Sequence, residues 1–137
     1  MNGPLPSQRV FLSQLSSLPA DTKVRFLGCV SAYHVSTGHL ILQHNFSRKN
    51  GDPTIVSVDI NLLLETMKAD DLRIGAWLNV LGYVRVKDRD HLNSSPIATT
   101  RAIYIEAIMV FSAEAVRIGE YERILCDAQD VDHVFRR

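Results

Sequence analysis

Two long alternating runs in this chain each carry a glycine near mid-length. Residues 23 to 35, KVRFLGCVSAYHV, place Val24, Phe26, Gly28, Val30 and Ala32 on one parity. Lys23, Arg25, Leu27, Cys29, Ser31 and Tyr33 fall on the other. This is the period-two pattern of a half-buried strand. Residues 76 to 86, AWLNVLGYVRV, repeat it around Gly82. Glycine weakens a strand, and inside one it marks a bulge or a sharp bend. Two strands that can coil this tightly predict a small sheet that closes on itself.

The rest of the chain supplies the other staves. Leu40, Leu42, His44 and Phe46 alternate with His39, Ile41, Gln43 and Asn45, and Thr37-Gly38 provides the turn into this second strand. The loop SRKNGDP precedes a third strand over residues 54 to 58. The period then changes. In DINLLLETMKADDL, Ile60, Leu63, Leu64 and Met67 share a helical face, with Asp59 or Asn61 as N-cap, and Gly75 closes the segment. A polar loop over residues 87 to 100 separates the fourth strand from a fifth over 102 to 112. Residues 1 to 21, with Pro4, Pro6 and Pro19 around Val10-Phe11-Leu12, read as an extended lead-in that packs one edge. The predicted class is all-β with flanking helices. Three strands, a helix and two strands make a five-stranded closed OB-fold barrel, with its helix between the third and fourth strands.

A second helix follows. SAEAVRIGEYERILCDAQDV, residues 112 to 131, opens on Ser112 as N-cap with Glu114 in the first turn. Val116, Ile118, Tyr121, Leu125 and Ala128 form an apolar stripe; Glu114, Arg117, Glu120, Glu122, Arg123 and Asp127 lie largely opposite. Composition alone slightly favours packing of this stripe on the chain's own barrel. The barrel already closes without it, so pairing with a partner's helix stays open. The expected division is a lead-in 1–21, a barrel 22–112, a C-terminal helix 113–131 and a tail 132–137.

Fifteen basic and fifteen acidic residues cancel in 137, and a chain that held nucleic acid alone by charge would be basic. Single-strand contact, where present, is therefore expected to be auxiliary. Single-strand sites combine cations with stacking aromatics. The candidates here are Arg25, Tyr33, His44, Phe46, Arg48, Lys49, Arg85, Lys87 and Arg89. Asp88 and Asp90 offset Lys87 and Arg89, and Phe46 has core parity. His39 and His44 fall on opposite faces of one strand, and Cys29 and Cys126 lie far apart without metal spacing, so no metal or other cofactor is expected. Asp70-Asp71 reads as a turn. No nucleophile elbow, phosphate loop or dinucleotide fingerprint is present, which leaves an enzyme the least supported class. No apolar run approaches the roughly 20 residues of a membrane span, and MNGPLPSQ lacks the pattern of a secretory signal. The expectation is a soluble intracellular protein with reduced cysteines and no membrane partner.

The order of four segments carries a family resemblance. VRFLGCV (24–30), DINLLLET (59–66), GAWLNVLGYV (75–84) and a C-terminal helix containing EYE (120–122) together resemble the smallest subunit of the fungal telomere-capping CST complex. That subunit is itself similar in plan to the small subunit of replication protein A. The resemblance runs from Pro4 to about Cys126 and leaves out the residues after Asp127. It implies a heterodimer with a larger OB-fold subunit, chiefly through the C-terminal helices of both. With a third large subunit, the pair would bind single-stranded telomeric DNA, limit telomerase and help fill in the complementary strand, at telomeres in the nucleus. The implied partner contacts are Arg25, Val116, Ile118, Tyr121, Leu125 and Ala128, with Tyr121 as principal anchor because buried aromatics dominate interface energies. The alternative is a small subunit of a general replication-protein-A-like single-strand binder.

Overall fold

Alternation becomes pairing wherever the sequence predicts a strand. The computed structural model describes residues 6–45, 54–87 and 102–135. Its strands are β1 (Gln8–Arg9), β2 (Lys23–His34), β3 (His39–Gln43), β4 (Ile55–Asp59), β5 (Trp77–Val86) and β6 (Ile103–Ser112), and its helix is α1 (Ile118–Phe135). β2, β3 and β4 pair antiparallel in sequence; β4 pairs parallel with β6, β6 antiparallel with β5, and β5 returns to β2 to close a five-stranded barrel. This is the connectivity of an OB barrel. β1 adds a short parallel strand outside β2.

The inward parity is the predicted one. Val24, Phe26 and Val30 of β2, Leu40 and Leu42 of β3, and Leu78, Val80 and Val84 of β5 are buried in one cluster. Both strand glycines are explained by what surrounds them. A Cβ on Gly28 would stand 2.9 Å from the Leu42 Cβ, inside the barrel. A Cβ on Gly82 would stand 2.4 Å from the Glu106 carbonyl oxygen, beside a register shift at Leu81/Gly82. Gly28 therefore permits a close approach and Gly82 a bulge.

A second bulge corrects one sequence reading. The β2–β3 register shifts between Val30 and Ala32, so Tyr33 pairs with the buried Leu40 and packs against the core cluster. The extra residue inverts the parity beyond it. Tyr33 is not the outward-facing stacking residue that uninterrupted alternation predicts.

Three elements differ from expectation. Between β4 and β5 the chain makes two 3-10 turns, Asn61–Leu63 and Ala69–Leu72, instead of one α-helix. Ile60 is buried, and Leu63 and Met67 pack on the core as the helical face requires. The Thr66 hydroxyl, however, donates to the Leu63 carbonyl, and Lys68 adopts an extended backbone that ends the run. The N-cap position is Ile60, neither Asp59 nor Asn61, and Asp59 Oδ1 accepts the Asn61 N–H at 2.9 Å just before the turn. Ser112 ends β6 instead of capping α1, and its Oγ accepts the Glu114 N–H at 3.3 Å within the turn that precedes the helix. α1 accordingly starts at Ile118 and runs to Phe135, past the expected end at residue 131. The lead-in carries a 3-10 turn, Leu12–Ser17, whose Leu12 and Leu15 join the barrel core.

Candidate functional site

α1 divides its apolar residues between two directions. Leu125 is 3% exposed and, like Phe11, Leu27 and Ala113, is buried outside the main barrel cluster. Leu27 lies on the outward parity of β2 and is nonetheless fully buried. Polar contacts fasten the same side of the helix. Gln14 and Gln129 exchange side-chain amide hydrogen bonds of 3.1 and 2.8 Å, and Gln14 Oε1 also accepts the Phe11 N–H at 2.8 Å. His44 Nε2 lies 2.7 Å from Glu122 Oε2.

The other direction is open. Ile124 and Val131 are each 55% exposed, and Ala128 between them is exposed too. Their spacing of four and three residues makes one continuous stripe along the helix. Tyr121, half-buried, stands at its edge, and its enclosed hydroxyl has no hydrogen-bond partner among the described residues. Burial pushes the Tyr121 phenol above its ordinary range, partly opposed by the charges of Arg9 and Arg25.

Those two arginines are register partners across the β1–β2 ladder, and among the described residues neither forms an ion pair. Like charges placed directly side by side on a sheet repel. The Arg25 guanidinium lies 5.3 Å from the centre of the Phe111 ring, a cation–π contact, and its Nε donates to Asn79 Oδ1 at 3.4 Å. Phe111 and Met109 on β6 are themselves exposed. A groove of about 650 Å³ runs between the N-terminal segment and α1, with Val10, Leu18 and Leu125 along it and Arg9, Ala128 and Asp132 among its lining.

Of the residues the resemblance marks for partner contact, Arg25, Tyr121 and Ala128 therefore gather on one surface. Leu125 is a correction: it faces the chain's own interior, because the Gln129 and Glu122 contacts turn that side of α1 inward. Val116 precedes α1, and Ile118 lines a small pocket of about 270 Å³ with Cys29, Trp77, His44 and Glu122. Sequence reasoning missed Ile124, Val131, Met109 and Phe111. The stripe through 124, 128 and 131 has helical spacing but lies next to the one through 121, 125 and 128, and packing alone decides which is inside.

The candidates for single-strand contact scatter. His44 is 4% exposed and engaged with Glu122, so it offers no face to a base. Arg85 is ion-paired with Asp21 and Glu106 and lies 5.1 Å from the centre of the Tyr83 ring; the Glu106 hydrogen bond foremost holds its pKa up. Lys87 is exposed. Phe46, Arg48, Lys49 and Arg89 lie outside the described residues. Among the described residues no group of three or more His, Cys, Asp or Glu is placed to hold a metal, and no helix is long and apolar enough to cross a membrane.

A family model described as Ten1, telomere capping, CST complex subunit, matches residues 1–126. The chain belongs to the Ten1 family. Among solved structures, a chain of the S. pombe Stn1–Ten1 complex is similar at 21% identity and TM-score 0.67, with 93% of this chain and 96% of that one covered. The telomere-capping protein Ten1 from Saccharomyces pombe gives 21% identity and TM-score 0.64, covering 91% and 99%. The hypothetical protein ygiW from E. coli follows at 14% identity and TM-score 0.53, covering 82% and 100%, a likeness of fold alone. A comparison with curated proteins gives no match. Family membership makes the chain a telomere-capping subunit of a CST complex.

Proposed function

We propose that this chain pairs one-to-one with the larger OB-fold subunit of the CST complex through the outer stripe of α1 and the adjoining barrel surface. The observation that carries this is the exposed row Ile124–Ala128–Val131 on a helix whose opposite side is already fastened to its own barrel. An exposed apolar row at helical spacing suits a partner helix laid alongside it. Arg25, Tyr121, Phe111 and Met109 extend the surface onto the barrel. The adjacent Arg9 and Arg25 favour a partner that brings an acidic side chain, which would relieve their repulsion. A similar S. pombe chain was crystallised in a Stn1–Ten1 complex, which supports the same kind of pairing here.

On this reading the barrel, residues 22–112, is the scaffold and the segment from residue 113 onward the main interface. Single-stranded telomeric DNA is held by the pair together with the third large subunit, at chromosome ends in the nucleus. The zero formal charge and the pairing of Arg85 with two carboxylates support a secondary share in DNA contact for this subunit. Its role is assembly, without catalysis.

The test is co-expression with the OB domain of the larger subunit, read by size-exclusion chromatography with light scattering. A stable one-to-one complex is expected, with telomeric single-strand affinity rising in the complex over either part alone. Separate elution of two monomers contradicts the proposal.

A further inference from the structure

His44 follows directly on the last residue of β3, yet its ring is nearly sealed from water and reaches an element 78 residues away. Its Nε2 meets Glu122 Oε2 at 2.7 Å. The ring is flanked by Trp77, edge-on at 5.3 Å between centroids, and by Phe11 at 6.1 Å. Glu122 has a side chain only 21% exposed. Separating the two is costly on the His44 side, because it would leave a nearly buried ring nitrogen without its carboxylate partner.

The position of this bond along α1 gives it a consequence beyond stability. Apolar burial at Leu125 attracts the helix to the barrel but does not by itself fix rotation, since the hydrophobic effect is non-directional. Successive helical residues are about 100° apart around the axis, so a rotation of about that angle exchanges Ile124 for Leu125 at the surface. The His44–Glu122 bond and the Gln14–Gln129 pair clamp α1 at two points about two turns apart, and they permit one rotational setting. In that setting Ile124, Ala128 and Val131 face outward and Tyr121 faces Arg9 and Arg25.

We infer that His44 and Glu122 are positioning residues for partner binding: they hold α1 in its docked rotation in the free subunit, so that the stripe is presented before the partner arrives. This rests on the partner reading above and adds how the surface is kept competent. A subunit whose helix samples other settings binds more weakly by the fraction of time it is correctly set.

The full chain allows a direct test, because its single tryptophan, Trp77, sits against His44 and reports the clamp through its emission. In His44→Phe the aromatic volume stays and the bond to Glu122 is lost; in His44→Gln an amide can restore a donor to the carboxylate. Expected for His44→Phe is about tenfold faster amide exchange across α1 with barrel amides still protected. A changed Trp77 emission and an affinity for the larger subunit's OB domain about tenfold weaker go with it, mostly through slower association. His44→Gln recovers most of each. If His44→Phe unfolds the barrel, Glu122→Ala makes the same test from the helix side. Unchanged exchange across α1, or a loosened α1 with unchanged partner affinity, overturns the inference. So does a His44→Gln variant no better than His44→Phe. A wild-type chain that ignores the partner removes the partner reading and this inference together. Wild-type binding that neither variant alters removes this inference alone.

Discussion

Ile124 and Leu125 are consecutive in α1, and one is 55% exposed while the other is 3% exposed. The boundary between the chain's own interior and its candidate partner surface runs between them. Ile124→Asp should therefore leave thermal stability nearly unchanged, within the roughly ±0.5 kcal/mol usual for surface substitutions, while abolishing co-purification with the larger subunit. Leu125→Ala should do the reverse in kind, destabilising the free chain by about 2–5 kcal/mol as buried leucine truncations do. Urea unfolding of both variants, beside pull-down at matched concentration, separates the two effects.

The glycines make a graded pair. A methyl group on Gly28 meets the Leu42 side chain, whereas on Gly82 it meets the Glu106 carbonyl and the Ala107 Cα, which are backbone. The overlap at Gly28 is with the Leu42 Cβ at 2.9 Å, whereas at Gly82 it is with a ladder carbonyl at 2.4 Å, the closer and less movable of the two. Gly82→Ala should cost more than Gly28→Ala, the latter falling near the about 1–3 kcal/mol of ordinary overpacking. Equal unfolding midpoints for the two variants would count against the close approach at Gly82.

Tyr121 should titrate late. Its phenol is raised by burial above the usual value of about 10. The folded state thus holds the proton more tightly than the unfolded chain. The stabilisation linked to that proton is fully present below the unfolded value and is lost as pH rises through the higher folded one. The ultraviolet difference between wild type and Tyr121→Phe should show a midpoint above about 10. Stability should fall with pH in that window more steeply for wild type.

Arg85 should be silent in DNA binding. A phosphate-contacting cation contributes about one unit to the slope of log affinity against log salt. Asp21 and Glu106 already occupy Arg85, so in the assembled complex Arg85→Ala should leave the slope as in wild type, although it lowers subunit stability. A slope reduced by about one would show that the arginine leaves its carboxylates for DNA.

Strand content was legible because period-two alternation holds over most of each barrel strand, despite the register shifts after Val30 and at Leu81/Gly82, and the order of the five barrel strands then left one compact closure. Two local competitions were not legible. The Thr66 hydroxyl and the extended Lys68 cut short a helix that Ile60, Leu63 and Met67 predict by spacing. The bulge after Val30 reversed Tyr33, and nothing in YHVST announces an extra residue in a ladder. On the candidate partner surface, Arg25 and Tyr121 came from the family resemblance, and they lie near each other. The outward row on α1 could not be read from its pattern. Two adjacent stripes share Ala128, and the choice between them is made by Gln14 and His44, more than 70 residues away. His44 misled for the same reason: an imidazole on a strand can serve a base or a buried carboxylate, and only tertiary packing tells which.

The most direct measurement is a calorimetric titration of the larger subunit's OB domain into three versions of this chain. Wild type is compared with Val131→Asp on the outer stripe and with Leu62→Asp, a substitution at a residue 71% exposed on the 3-10 turn after β4. Expected are one-to-one binding for wild type and Leu62→Asp, and a loss of about 2 kcal/mol or more for Val131→Asp, the scale of an interface anchor. No binding by wild type, or a loss confined to Leu62→Asp, would contradict the assignment of α1 as the partner surface.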